Sequence, residues 1–144
     1  MTTPARERAE SLRSSDTVFT AAGMHIAEVT DGGITLQMTV RDDMTNGAGI
    51  AHGGWIFLLA DTAFGYAATT RRPGTLTTDA QIRFHRPARR SDTLSAHATI
   101  VHESSSTVLI DVVVSDSAGE RVASFRGSGR APRTSEPQAS STAP

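Results

Sequence analysis

From Gly33 onward the even positions Ile34, Leu36, Met38 and Val40 are apolar while Thr35, Gln37 and Thr39 are polar, the two-residue period of a strand that buries one face. Met24 to Thr30 precedes it as a less regular partner, and the Asp31-Gly32 pair between them signals a hairpin. The alternation returns after residue 73 in three segments: Leu76, Ala80, Ile82 and Phe84, then Leu94, Ala96, Ala98 and Ile100, then Val108, Ile110, Val112 and Val114. A last strand around Val122 to Phe125 follows the Ala118-Gly119 turn. Together these segments predict an antiparallel meander with one dry face.

Between the two groups of strands the pattern changes. Ala, Leu and Phe dominate Trp55 to Ala68 and β-branched residues are few, which predicts a helix from about Gly53 to Thr70, stopped by Pro73. Arg71 and Arg72 suit its C-terminal dipole. The helix is apolar on nearly every side and must be covered on most of them; the dry face of the sheet is the available cover. The expected fold class is therefore α+β, a curved antiparallel sheet of five or six strands around one long central helix. Residues 5–21, within an N-terminal segment 1–22, carry Leu12, Val18 and Phe19 as their only large apolar anchors and read as a weakly amphipathic outer helix. Residues 131–144 hold three of the six prolines and no Val, Ile, Leu, Met or aromatic residue, so a disordered tail is expected after a domain spanning 23–130.

Composition narrows the chemistry. A length of 144 residues, 38% hydrophobic and with net charge -1, suits one globular domain without a broad basic face for nucleic acid. The absence of cysteine removes disulfides, thiolate metal sites and a cysteine nucleophile. All fourteen basic residues are arginine, so a Schiff base, a lysine-bound cofactor and a Walker phosphate loop are excluded. The strongly apolar run Trp55–Ala60 stops at Asp61, far short of the roughly 20 residues that span a bilayer. The N-terminus has no apolar signal region. A cytoplasmic protein without membrane or nucleic-acid partners is expected. His25, His85, His97 and His102 show no ligand spacing, and neither a metal nor a cofactor is expected.

Asp61 is the one ionisable carboxylate between Gly53 and Thr70. A carboxylate on an apolar helix costs several kcal/mol, on the order of 3–5, unless it is paired or hydrogen-bonded. It is either a structural residue bonded to a donor such as Thr62, or a general base or nucleophile whose pKa the apolar surroundings shape. At the helix start, Gly53 and Gly54 place bare N–H groups at a positive dipole end, where an oxyanion could approach; equally, the glycines serve a tight loop-to-helix turn. Gly47-x-Gly49 is not a dinucleotide fingerprint, since the third glycine position falls on His52 and no β-α-β pattern surrounds it. Gly53 and Asp61, eight residues apart, are separated by roughly 12 Å along a helix and about 80° in direction. One carbonyl cannot sit about 3 Å from both. If both act on one bond, Asp61 of one chain must serve Gly53 of another across a twofold axis.

The stretch NGAGIAHGGWIFLLADTAFGYAA resembles the hotdog-fold acyl-CoA thioesterases, most closely the phenylacetic-acid-degradation type, in its Asn, its His-Gly-Gly opening the central helix and its Ala-Asp-Thr-Ala within it. QIRFHRPARRSDTL and VSDSAGERVASFRGSGR are similar to the family's later turn and last hairpin, with Ser91 where a glycine before Asp92 is common. The resemblance covers about residues 20–130. It implies a hotdog fold and hydrolysis of aromatic or medium-chain acyl-CoA without a cofactor, in a homodimer or homotetramer. By position, Asp61 falls on the catalytic carboxylate and Gly53 on the residue whose N–H polarises the thioester carbonyl. Asn46 and His52 fall on the loop that orients substrate or water, with His52 equally readable as a structural loop residue, and Thr62 would steady the carboxylate. Gly54 joins the substrate contacts. Coenzyme A brings phosphates, for which Arg83, Arg86, Arg89 and Arg90, expected to cluster around one strand end and turn, are the candidates. Two competing functions stand beside this: a hotdog hydratase or dehydratase, whose usual His-Phe-Pro helix start is absent, and a non-catalytic acyl-CoA-binding module.

Overall fold

The computed structural model describes residues 2–132; nearly all of the expected tail, residues 133–144, lies outside them. The chain opens with α1 (Pro4–Ser15), where the Thr3 side chain caps by accepting from Arg6 N and Pro4 occupies the first turn. The single outer helix expected over 5–21 is broken at Asp16. That residue is extended, and its carboxylate accepts from Phe19 N to start α2 (Thr17–Ala21). An aspartate that ends one helix and caps the next defines a corner.

Two strands follow, β1 (His25–Thr30) and β2 (Gly33–Thr39), paired antiparallel down to Thr30 opposite Gly33, so Asp31 and Gly32 alone make the turn. A loop leads to the central helix α3 (Gly53–Arg71), one residue longer than expected. Its Ile56, Leu59, Ala60, Ala63, Phe64 and Ala67 face the sheet and are almost wholly buried. The approach is close at Gly127, where a Cβ would stand 2.9 Å from the Phe64 ring. At the far end Arg71 pairs with Glu103, while the Arg72 guanidinium donates to Ser104 O, Ser105 O and Pro132 O. The two arginines thus fasten the helix end to a hairpin. Ala131 is buried and its N–H donates to Ser106 O, so the first residues after 130 are tied down.

Four more strands complete the sheet: β3 (Leu76–Phe84), β4 (Thr93–Glu103), β5 (Thr107–Ser115) and β6 (Arg121–Arg130). The order is β1-β2-β4-β5-β6-β3, all antiparallel, and the six strands curve around α3 in the hotdog arrangement. It is not a simple meander. The chain leaves α3 at one end and lays β3 on the far edge, beyond β6, while β4 returns beside β2. β3 keeps its alternation, with Ile82 opposite Phe125 and Phe84 opposite Ala123, but on an edge that the helix covers only in part, with Phe84 against its first residue, Gly53. Leu76 is 73% and Phe84 49% exposed. An apolar edge strand with a free ladder side is a pairing surface that chains normally keep covered.

Candidate active site

The loop before α3 is built on Asn46. Its side-chain oxygen accepts from Ala48 N and Ile50 N, and its own N–H donates to Ile50 O. This fixes the amide orientation and leaves the side-chain nitrogen as a donor. His52 comes next, extended, and caps the helix: its Nδ1 accepts from Gly54 N at 3.0 Å. With Nδ1 accepting, the neutral ring carries its proton on Nε2.

That cap separates the two glycines, which the residue types alone leave alike and to which the resemblance gives different roles. Gly54 does not offer a bare N–H, because His52 occupies it. Gly53 does: its N–H meets no acceptor among the described residues, and it sits at the positive end of a 19-residue helix. The Phe84 ring lies over it, with Cζ 3.1 Å from where a Cβ would stand. A hollow of about 430 Å³ opens here, lined by Asn46, Gly53, Ile56, Phe84 and Arg86 among others.

Asp61 lies elsewhere. It opens into a second cleft of about 510 Å³, between α3 and the α1–α2 corner, with Leu12, Ser15, Thr17, Gly65 and Thr77 on its walls. The carboxylate is half-buried and receives no hydrogen bond from any described residue; burial pushes its pKa above the ordinary aspartate value. Thr62 is no support for it, since its hydroxyl donates to Leu58 O at 2.6 Å. A structural aspartate bonded to that hydroxyl is therefore not what the chain holds. At the inner end of the cleft Tyr66 donates to Asp16 Oδ2 at 2.9 Å, and its ring stacks on Phe19. Burial and this bond raise the Tyr66 pKa.

The four arginines do not form one cluster. Arg86 borders the Gly53 hollow and pairs with Glu120 at 3.2 Å. Arg90 pairs with Asp42 at 2.8 Å, and Arg89 sits in the turn, its N–H held by Asp92. Arg83 points to the outer face of the sheet, beside Gln81, His85 and Ser124, because it alternates with the inward Ile82 and Phe84. Phe84 and Asp16 are not among the site residues expected from the sequence, whereas Tyr66, with Trp55 and Leu58, is expected from it to meet the acyl end. Asp16 alone left a signal, an Asp three residues before an apolar position. The described residues hold no group of three or more His, Asp or Glu suited to a metal, and no helix among them is long and apolar enough to cross a membrane.

Comparison with known proteins follows the same lines. Residues 48–123 match the thioesterase superfamily. The acyl-coenzyme A thioesterase PaaI of Escherichia coli (strain K12) is 34% identical over 127 residues, 88% of this chain and 91% of that protein. A putative esterase of Archaeoglobus fulgidus is 29% identical over 113 residues, 78% of this chain and 73% of its own length. The solved structure of the E. coli PaaI protein, from the phenylacetic acid degradation operon, superposes with a TM-score of 0.87 at 33% identity, over 89% of this chain and 93% of that one.

Proposed function

The chain belongs to the thioesterase superfamily and is a thioester hydrolase of the PaaI type acting on acyl-CoA, and from that premise we propose that each active site joins Asp61 of one subunit to the Gly53 N–H of another. The acyl groups are aromatic, of the phenylacetyl kind, or of medium chain length. One observation carries the reading: the unbonded carboxylate and the unbonded helix-start N–H open into hollows that share no lining residue. A single chain cannot bring them to one carbonyl. A second copy can, with antiparallel α3 helices, and two surfaces favour it: the apolar β3 edge, and the partly uncovered side of α3 that carries Trp55, Leu58 and Asp61. The assembly is a homodimer or a pair of such dimers.

The chemistry suits so few groups. The carbonyl oxygen lies against the Gly53 N–H, whose helix dipole favours the negative charge of the tetrahedral intermediate. Asp61 either takes a proton from the attacking water or adds to the carbonyl carbon itself. The intermediate then collapses and the carbon–sulfur bond breaks, giving the free acid in the first case and, in the second, an Asp61 mixed anhydride that water then cleaves to the acid and the regenerated carboxylate. The leaving thiolate has a conjugate acid with pKa about 8.5, so it departs without a general acid. His52 fixes the helix start and presents Nε2–H outward, and Asn46 holds the loop beside it.

Phenylacetyl-CoA incubated with the protein and a thiol reagent tests this reading. Thiol release by the wild type, reduced about 10²- to 10⁴-fold in Asp61→Asn, is the expected result for loss of a general base. Saturable binding without release would instead assign a binding module.

A further inference from the structure

We infer that Gly65 and the α1–α2 corner determine which acyl groups the protein accepts, with Gly65 as the floor of the acyl end of the Asp61 cleft. The inference rests on the reading of Asp61 as the reacting carboxylate.

Gly65 lies four residues after Asp61, so it sits about 6 Å further along α3 and within roughly 40° of the same direction. Both line the same cleft. A glycine in the interior of a helix is less stable than alanine, so its presence calls for a reason. The fold supplies none. Its φ is not in the left-handed region, and a Cβ built on it would meet nothing within 4 Å. This contrasts with Gly127, where the Phe64 ring occupies the space. The room above Gly65 is therefore room for something other than this chain, and it adjoins the carboxylate that would face the reacting carbonyl.

The opposite wall comes from the N-terminal segment. Leu12 and Ser15 approach from the end of α1 and Thr17 from the start of α2. The corner is fixed by a two-sided contact: one Asp16 oxygen accepts from Phe19 N, the other from Tyr66 O–H. Tyr66 is the residue after Gly65. The distance between floor and wall is thus set by the same helix turn that leaves the floor bare, and the length of an acyl group extending from Asp61 is limited by how far these two stand apart.

The test is a substrate profile. kcat/KM is measured for acetyl-, butyryl-, hexanoyl-, octanoyl- and phenylacetyl-CoA with wild type, Gly65→Ala, Gly65→Leu and Thr17→Leu, with light scattering on each protein. The expected result is a fall in the ratio of the best long or aromatic ester to acetyl-CoA, graded from Ala to Leu and about tenfold or more for Leu, since a single misplaced methylene changes selectivity by roughly 10- to 200-fold. Thr17→Leu lowers the same ratio from the other wall, which keeps the test intact if Gly65→Leu fails to fold. An unchanged ratio in Gly65→Ala and Thr17→Leu would overturn the inference. So would a parallel loss for all esters with dissociation of the oligomer, which would place a partner helix over Gly65. The corresponding ratios of binding affinity, measured by calorimetry with Gly65→Ala and Thr17→Leu in the Asp61→Asn background, separate this from the catalytic reading: if Asp61→Asn still hydrolyses esters, the catalytic assignment fails, while the dependence of binding on acyl size is judged on its own.

Discussion

Gly53 and Asp61 lie on one helix, yet the free N–H of the first and the unbonded carboxylate of the second open into separate hollows. Complementation between chains follows. Gly53→Pro deletes the N–H at the first helical position, where proline is well tolerated, and His52 before it is already extended, as a residue preceding proline prefers. The new ring must displace Phe84 slightly. The variant should keep its helical circular dichroism and lose about 10²- to 10³-fold in kcat. Mixed with Asp61→Asn, it should recover about a quarter of wild-type activity, because half the dimers are mixed and each holds one intact site. Heterodimers that form without recovery would place both groups in one chain's chemistry.

The Asp61 carboxyl is held above its ordinary value of 3.8 by burial. A folded-state pKa above the unfolded one means that ionisation costs stability; the penalty sets in as pH rises from the unfolded value to the folded one and is complete above it. Asp61→Asn should therefore raise Tm at pH 7, with the gain vanishing below the unfolded value. Since catalysis needs the ionised form, the acid limb of kcat/KM in the wild type should lie above 3.8. A limb at or below that value, or a less stable Asp61→Asn protein at pH 7, would argue against burial as the dominant influence.

The arginines make a differential test. Arg86 borders the Gly53 hollow and Arg83 faces outward from the sheet. Arg86→Ala should raise KM for a CoA ester by on the order of tenfold, the equivalent of about one charge-assisted bond to phosphate, while leaving a truncated thioester unaffected. Its exposed pair with Glu120 adds little to stability. Arg83→Ala should change neither KM. Equal effects of the two would remove the distinction.

What the sequence made legible was periodicity and exclusion. The even-numbered stripe from Ile34 to Val40 and the run around Asp61 depend on neighbours a few residues apart, and both elements stand where that pattern put them. The place of β3 did not follow, because strand order depends on how a 19-residue helix spans the sheet, which no local pattern encodes. Gly53 and Gly54 differ on paper only through the roles the resemblance implies; the physical difference is the His52 side chain, turned back onto Gly54. The arginine grouping failed for a related reason, since Arg83 and Arg86 differ by three positions on and just past a strand and thus lie on opposite faces. Asp16 and Tyr66 meet across 50 residues, and contacts of that range leave no periodic trace.

Ser91 offers the last test. Its φ is 71°, the one described non-glycine residue in the left-handed region, at the position where the resemblance places a glycine. The turn cannot relax around it. Ser91 N donates to Val40 O, Val40 N to Asp92 O, and Asp92 accepts from Arg89 N through its carboxylate. A side chain in this conformation costs about 1–2 kcal/mol, and glycine's greater freedom in the unfolded chain returns roughly 0.4–1 kcal/mol of that. Ser91→Gly should accordingly stabilise the protein by about 0.5–1 kcal/mol, seen as a higher denaturant midpoint at unchanged slope. Ser91→Val should do the reverse by a larger margin, because a β-branched side chain tolerates positive φ least. If Ser91→Gly leaves the midpoint where it is or lowers it, the serine hydroxyl itself must stabilise the turn enough to offset the strain.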